Sequence, residues 1–374
     1  MRAVISQIET FVINYPVTGH FRFFQNRPGK PAGRRCVVVK IVDEAGNVGW
    51  GQSVPSPGWS YETIETVVST IEHYLAPALI GLDACDITSI EHALDRTIAP
   101  GFSTGQPICK AGIDLALFDL TGRLMRESAA GRWGRTAGPD RITLSWTVNP
   151  QTLEEVSAIL ETARERGFHH FNIKVAPDPA FDLAVCGAIR NLAPDACLWV
   201  DANGGYDEAT ALDVAPRFAD LGIAAFEQPL RPSRLGGFRR LKKQGALPIL
   251  MDESIVSVID LQEFHQLDLL DGVAMKVSRC GGLTESVRIL DYMEQNGLLF
   301  FASGLTDPDL SLAASLHLFA AYGLTNPAAL NAPQFLTGSI LKNPVQIVGD
   351  QAFVPHGDGL GVEVDETVLR GMEG

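Results

Sequence analysis

The sequence predicts an α/β protein, a closed barrel of alternating strands and helices preceded by a smaller α+β unit. Three observations carry this expectation. From Arg141 onward, short apolar strands alternate with amphipathic helices. Charged residues close successive apolar runs at nearly even intervals: Asp201, Glu227, Asp252 and Lys276 are 26, 25 and 24 residues apart by subtraction, and Lys174 precedes Asp201 by 27. One strand, one helix and two loops take roughly that length in a βα-barrel, whose active site lies at the C-terminal strand ends. The chain of 374 residues is also long enough for a barrel of roughly 250 residues plus a further domain.

Residues 1–50 hold three strand-like runs, AVISQIETFVI, CVVVKIVDEAG and NVGWGQ. A Gly-containing turn at Glu44–Asn47 joins the last two. The long loop Pro16–Arg35 separates the first two and contains Phe21, Phe23 and Phe24. Residues 60–130 then read as helices, with apolar residues at intervals of three and four. The KAGIDLALFDLTGRLM segment adds small residues suited to close packing. The barrel strands follow as ITLSWTV, HHFNIKVA, CLWVDAN, AAFEQP, PILMDES, GVAMKVS, LLFFASG and AALNAPQF. An open doubly wound sheet is the alternative, but it would gather its site at one switch point rather than along evenly spaced strand ends. The expected boundaries are 1–130 for the first unit and 135–349 for the barrel. A tail of about 350–374 returns to the first unit.

The net charge, 30 − 44 = −14, argues against a nucleic-acid surface. The N-terminus lacks a basic stretch followed by a long apolar one, and no run reaches the roughly 18 apolar residues of a membrane span. The reading is a cytoplasmic protein with no membrane partner. Six cysteines without C-x-x-C spacing read as reduced thiols rather than a disulfide or zinc framework.

The even ladder carries the chemistry. Asp201, Glu227 and Asp252 end three consecutive strands, and carboxylates are hard oxygen ligands suited to Mg²⁺ or Mn²⁺. Each acid alone could cap the helix after its strand. Three at one level repel each other and call for a cation. Lys174 lies one strand before the triad and Lys276 one strand after it, so they should face each other across the metal as acid and base. A nearby cation and partial desolvation are expected to lower a lysine pKa. A metal-bound carboxylate has an acidified α-carbon, and removing its proton gives an enediolate that the metal stabilises.

The strand ends KVA, VDAN, FEQP, MDES and MKVSRCGG resemble those of the enolase superfamily. More narrowly they resemble the muconate lactonizing enzyme subgroup of the mandelate racemase/muconate lactonizing enzyme family. That subgroup includes cycloisomerases, o-succinylbenzoate synthases, N-succinylamino acid racemases, dipeptide epimerases and proline-betaine epimerases. The resemblance implies a (β/α)₇β TIM-like barrel with an N-terminal α+β capping domain. It implies Mg²⁺ on Asp201, Glu227 and Asp252, Lys174 and Lys276 as the acid/base pair, and a homo-oligomer between dimer and octamer. One departure stands out. The subgroup usually has Lys-x-Lys on the second barrel strand, and here the segment is Asn172-Ile173-Lys174. The first lysine of that pattern is a like charge that depresses the pKa of the second. Asn172 can donate a hydrogen bond but supplies no charge.

In the family, two capping-domain loops choose the substrate. The first corresponds to Pro16–Arg35, with Phe24, Arg22, Arg27, Lys30 and His20 as candidate contacts, and the second to Ser53–Tyr61, with Trp59 and Tyr61. Aromatic residues suit an apolar or cationic substrate body, and arginines a second carboxylate. Asn172, Asn203, Ser303, Thr306 and Asp307 complete the candidate substrate-binding set. The leading expectation is a racemase or epimerase acting on a small carboxylate. Cycloisomerisation of a muconate-like diacid and dehydration by β-elimination are the alternatives. A non-catalytic binding protein is disfavoured because all three ligands and both lysines are present.

Overall fold

The computed structural model describes residues 2–19, 21, 23–24, 33–101, 103–136 and 138–373. Alternating apolar residues in the N-terminal runs produce an antiparallel sheet of β1 (Ile5–Pro16), β2 (Gly33–Asp43) and β3 (Val48–Ser53) in that order. A long helix, Pro107–Met125, lies on this sheet. Glycines permit the close approach: a Cβ on Gly51 would stand 2.0 Å from the Gly112 carbonyl oxygen. Glu62 caps this helix by accepting from the Ile108 and Cys109 amides at 2.9 and 2.7 Å.

The barrel follows. Seven parallel strands run in sequence order: β5 (Trp146–Val148), β6 (Phe171–Lys174), β7 (Leu198–Asp201), β8 (Phe226–Glu227), β9 (Ile249–Met251), β10 (Gly272–Met275) and β11 (Leu299–Ala302). Sequential order with helices between excludes the doubly wound alternative. Closure comes from Ala328, bridged to Leu144, and Ala329, bridged to Ser303. The Ala328 amide donates to Thr143 at 2.8 Å and the Ala329 amide to Ala302 at 2.8 Å.

Two expected strands differ. AALNAPQF supplies only this two-residue bridge, and Ala332–Phe335 is helical. Pro333 has no N–H for a ladder but fits a first helical turn. ITLSWTV divides in two. Its first part, β4 (Arg141–Thr143), leaves the barrel to pair with β13 (Gln351–Phe353), which also pairs with β12 (Ile347–Val348).

The tail then reaches the N-terminal sheet. Helix Glu366–Gly371 packs on β1, the Asn14 amide donates to Met372 at 3.3 Å, and the Leu360 amide donates to Asp119 at 3.0 Å. All six cysteines are free thiols. Among the described residues no helix is long and apolar enough to cross a membrane.

The inner face of the barrel is layered. Trp199, Ala225, Leu250, Ala274, Phe301 and Ala329 form a separate buried cluster, one from each of six neighbouring positions around the barrel. Side chains two residues apart on a strand share a face. The residues two positions on are Asp201, Glu227, Asp252, Lys276, Ser303 and Asn331. The first set is therefore a floor and the second a rim. One Trp and one Phe fill the floor against three alanines, an alternation of large and small that packs a narrow interior.

Candidate active site

The rim holds the even ladder. Asp201, Glu227 and Asp252 are each 0% exposed, and one oxygen from each lies within 4.8 Å of the others. Three buried carboxylates this close need compensating charge. Part comes from Lys174, paired with Asp201, and from Lys276 and Arg279, both paired with Asp252. The Lys276–Asp252 contact is 2.5 Å. Glu227 lacks such a partner: its Oε2 accepts from the Trp199 indole at 3.0 Å and its Oε1 is buried with no hydrogen-bond partner. Burial, then Asp201 and Asp252, push the Glu227 carboxyl well above its ordinary range. An orphaned buried carboxylate oxygen inside an all-oxygen cluster fits a hard divalent cation.

The lysines flank the triad. Lys174 closes β6 on one side and Lys276 follows β10 on the other, with β7–β9 between. Burial favours the neutral amine at Lys276, but Asp252, Glu227, Glu253 and Asp201 outweigh it and hold this group at about 12. Glu253, next to Asp252, is pushed to about 8 by burial and by the Asp252 and Asp201 charges, and accepts from Asn203 Nδ2 at 3.1 Å. The Asn203 amide donates to Asp201 at 2.8 Å. Gln228 ties two loops together, accepting from the Asp252 amide at 3.0 Å and donating to Ser254 at 2.8 Å.

A cavity opens over the rim. Asn172, Lys174, Asn203, Lys276, Ser303, Thr306, Phe24 and Trp59 all line it, so the structure brings most of the expected site residues together. Asn172 is at floor level, in register with Trp199 on one side and Thr147 on the other. It is buried, and its Nδ2 has no partner. Phe21, Phe24 and Phe335 form an aromatic wall, with Phe21 stacked on Phe335 at 5.1 Å. The Trp59 ring lies 4.8 Å from the Lys276 ammonium, a cation–π contact.

Two expected contacts lie elsewhere. Tyr61 is 68% exposed and its hydroxyl accepts from the Gln106 amide at 3.1 Å, so it braces the capping unit and does not line the cavity. Asp307 is buried behind the loop, accepting from Ser278 Oγ at 2.8 Å and the Leu305 amide at 3.1 Å. His20, Arg22, Arg27 and Lys30 fall outside the described residues. Sequence reasoning gave no role to Trp199, Glu253, Arg279, Thr147 or Asn331. For Trp199 a signal existed, since it stands two residues before Asp201 on the same strand face.

Comparison with known proteins places this geometry. Residues 155–368 match the enolase C-terminal domain-like family, and residues 13–130 match the mandelate racemase / muconate lactonizing enzyme N-terminal domain. The chain belongs to the enolase superfamily. Within it the chain falls in the muconate lactonizing enzyme subgroup and is an isomerase of this superfamily. It is 31% identical over 343 residues to chloromuconate cycloisomerase CbnB of Cupriavidus necator, covering 90% of this chain and 91% of that one. The crystal structure of 2-chloromuconate cycloisomerase from Rhodococcus opacus superposes with a TM-score of 0.90 at 25% identity over 100% of both chains. Muconate lactonizing enzyme from Pseudomonas fluorescens complexed with muconolactone gives 0.90 and 25%, again over 100% of both. In this superfamily member the capping unit and barrel rim border a cavity lined by Lys174 and Lys276, the two lysines that pair with the triad.

Proposed function

We propose that this enzyme is a Mg²⁺-dependent cycloisomerase of a muconate-like dicarboxylate. The observation that carries the proposal is a buried carboxylate triad flanked by two lysines under an aromatic wall, in a chain related along nine-tenths of its length to a chloromuconate cycloisomerase. Asp201, Glu227 and Asp252 would hold Mg²⁺ or Mn²⁺, which would stabilise negative charge developing on one substrate carboxylate.

The chain's own residues do the rest. The second carboxylate forms a C–O bond at the β-carbon of the double bond. The π pair moves toward the α-carbon and the first carboxylate. Lys174 or Lys276, as ammonium, delivers its proton to the α-carbon and regains one from solvent, so the dianion takes up one proton and becomes the lactone monoanion. Asn172 offers an unpartnered, uncharged donor at floor level for a substrate oxygen. The Phe21–Phe24–Phe335 wall and Trp59 exclude water from the reacting face. The enzyme is proposed to work as a homo-oligomer.

The test is incubation with cis,cis-muconate and its chlorinated forms in D₂O with Mg²⁺. Lactone carrying one deuterium at the α-carbon is expected. A racemase or epimerase is the second reading, supported by both lysine side chains being little exposed, 6% and 3%, and each paired with a triad carboxylate. If no diacid gives a lactone while an N-acylamino acid exchanges its α-proton, the second reading replaces the first.

A further inference from the structure

Arg34, near the start of β2, is buried, and all five of its N–H groups are engaged. Nε and Nη2 donate to the Leu305 carbonyl at 3.1 and 2.8 Å. Nη2 also donates to Val54 at 2.6 Å, and Nη1 donates to Pro55 at 2.7 Å and Arg35 at 3.1 Å. Every acceptor is a backbone carbonyl, and none is a carboxylate. Arg34 borders the substrate cavity, yet no N–H remains for a substrate carboxylate. A buried guanidinium is costly unless its bonds achieve something a neutral residue could not.

The acceptors belong to two loops that both reach the site. Val54 and Pro55 lead into the turn in which the Ser56 carbonyl accepts from the Trp59 and Ser60 amides at 2.9 and 2.7 Å. That turn sets Trp59 against Lys276. Leu305 lies between Gly304 and Thr306 in the loop after β11, and all three border the cavity. The Leu305 amide is held by Asp307, which is held in turn by Ser278, two residues after Lys276. One guanidinium thus joins the capping unit to the loop after β11, and Asp307 carries the link on to the segment after β10 that holds Lys276.

We propose that Arg34 is a positioning residue that fastens the second capping loop to the loop after β11, holding Trp59 and Leu305–Thr306 over Lys276 as one closed unit. Its planar fork is suited to this, since it reaches four separate carbonyls at fixed angles. The triad lies on β7–β9 and does not depend on it.

The experiment is amide hydrogen exchange on the full chain, with Mn²⁺ affinity measured in parallel, for wild type, Arg34→Gln and Arg34→Lys. In Arg34→Gln, segments 54–60 and 303–307 should both exchange at least tenfold faster. Segment 198–201 and the affinity for Mn²⁺ should stay within twofold of wild type. Arg34→Lys should recover protection in at least one segment, because its ammonium can still donate to a carbonyl; a packing role would give no such rescue. Acceleration of one segment alone, of neither, or a parallel loss of Mn²⁺ affinity would overturn the proposal. If Arg34→Gln does not fold, Arg34→Lys is compared with wild type and should accelerate both segments to a lesser degree. No readout needs a substrate, so the result is independent of the cycloisomerase reading.

Discussion

Replacing Trp199 by Phe should weaken metal binding about tenfold without touching a ligand. The Trp199 indole gives Glu227 the hydrogen bond to its Oε2, while Oε1 is buried without a hydrogen-bond partner. Burial and the Asp201 and Asp252 charges disfavour the ionised form of Glu227 before a cation arrives. A cation requires that form. A hydrogen bond to a charged acceptor is worth about 1–1.5 kcal/mol more than one to a neutral acceptor. Losing it therefore costs about 5- to 10-fold in affinity, close to the lower end of the 10- to 100-fold range for groups that orient metal ligands.

Phe is also smaller by roughly 40 Å³, and at ~24 cal/mol per Å³ the resulting void destabilises the fold by about 1 kcal/mol. Neighbouring Ala225, Ala274 and Ala329 have no side-chain length to fill it. The assay is Mn²⁺ titration by calorimetry, with thermal melts run with and without Mn²⁺. Melting should fall in both conditions, and further with Mn²⁺ present. An unchanged Mn²⁺ affinity beside a lowered metal-free melting temperature would refute the reasoning and leave the indole as filling alone.

Three further outcomes are expected. Lys276→Ala should lower turnover by at least 10²-fold, the usual worth of a general acid, while Mn²⁺ still binds in a titration. Asn172→Lys introduces an ammonium beneath the cavity and should change KM for cis,cis-muconate more than it changes melting, since the cavity provides room for the longer chain. Asp114, buried where it accepts from the Leu283 and Thr284 amides at 2.6 and 3.2 Å, has its carboxyl pushed by burial to about 6. A raised carboxyl pKa means the folded state holds its proton longer than the unfolded one. Stability is then lost as pH rises from about 4 to about 6, on the order of 3 kcal/mol. Asp114→Asn should flatten that part of a melting-temperature profile relative to wild type, and a profile parallel to wild type would contradict it.

The fold was legible because a barrel repeats. The βα period and the charged strand ends both follow from side chains alternating between core and interior, a pattern local to each strand. The seam was not legible, since two alanines joined by a few backbone bonds leave no periodic trace, and the apolar run around Pro333 imitates a strand. The carboxylate cluster could be read for the same reason as the barrel. The groups that support it could not. Arg34 meets Leu305 across 271 positions of sequence, and Arg279 matters because burial places it on Asp252. Tyr61 misled because an aromatic residue in a lid loop carries no mark of which way it points.

The thin seam has a consequence for how the protein could change. Among the described residues only Ala328 and Ala329 close the cylinder by bridges, and the chain runs directly on to Asn331 and to Phe335, which meets Phe21 and Phe24. Segments with few backbone bonds are the first to open in the native state. The stretch that touches the aromatic wall lies beside this seam and is tied to Pro16, Thr18 and Thr147 rather than to a strand ladder, while the carboxylate triad stands on the far side, at β7–β9. Mutational drift in 330–337 can reshape what the cavity admits at little cost to the ion-holding half. New substrate preferences would be acquired there first, by repacking one edge around a fixed reactive centre.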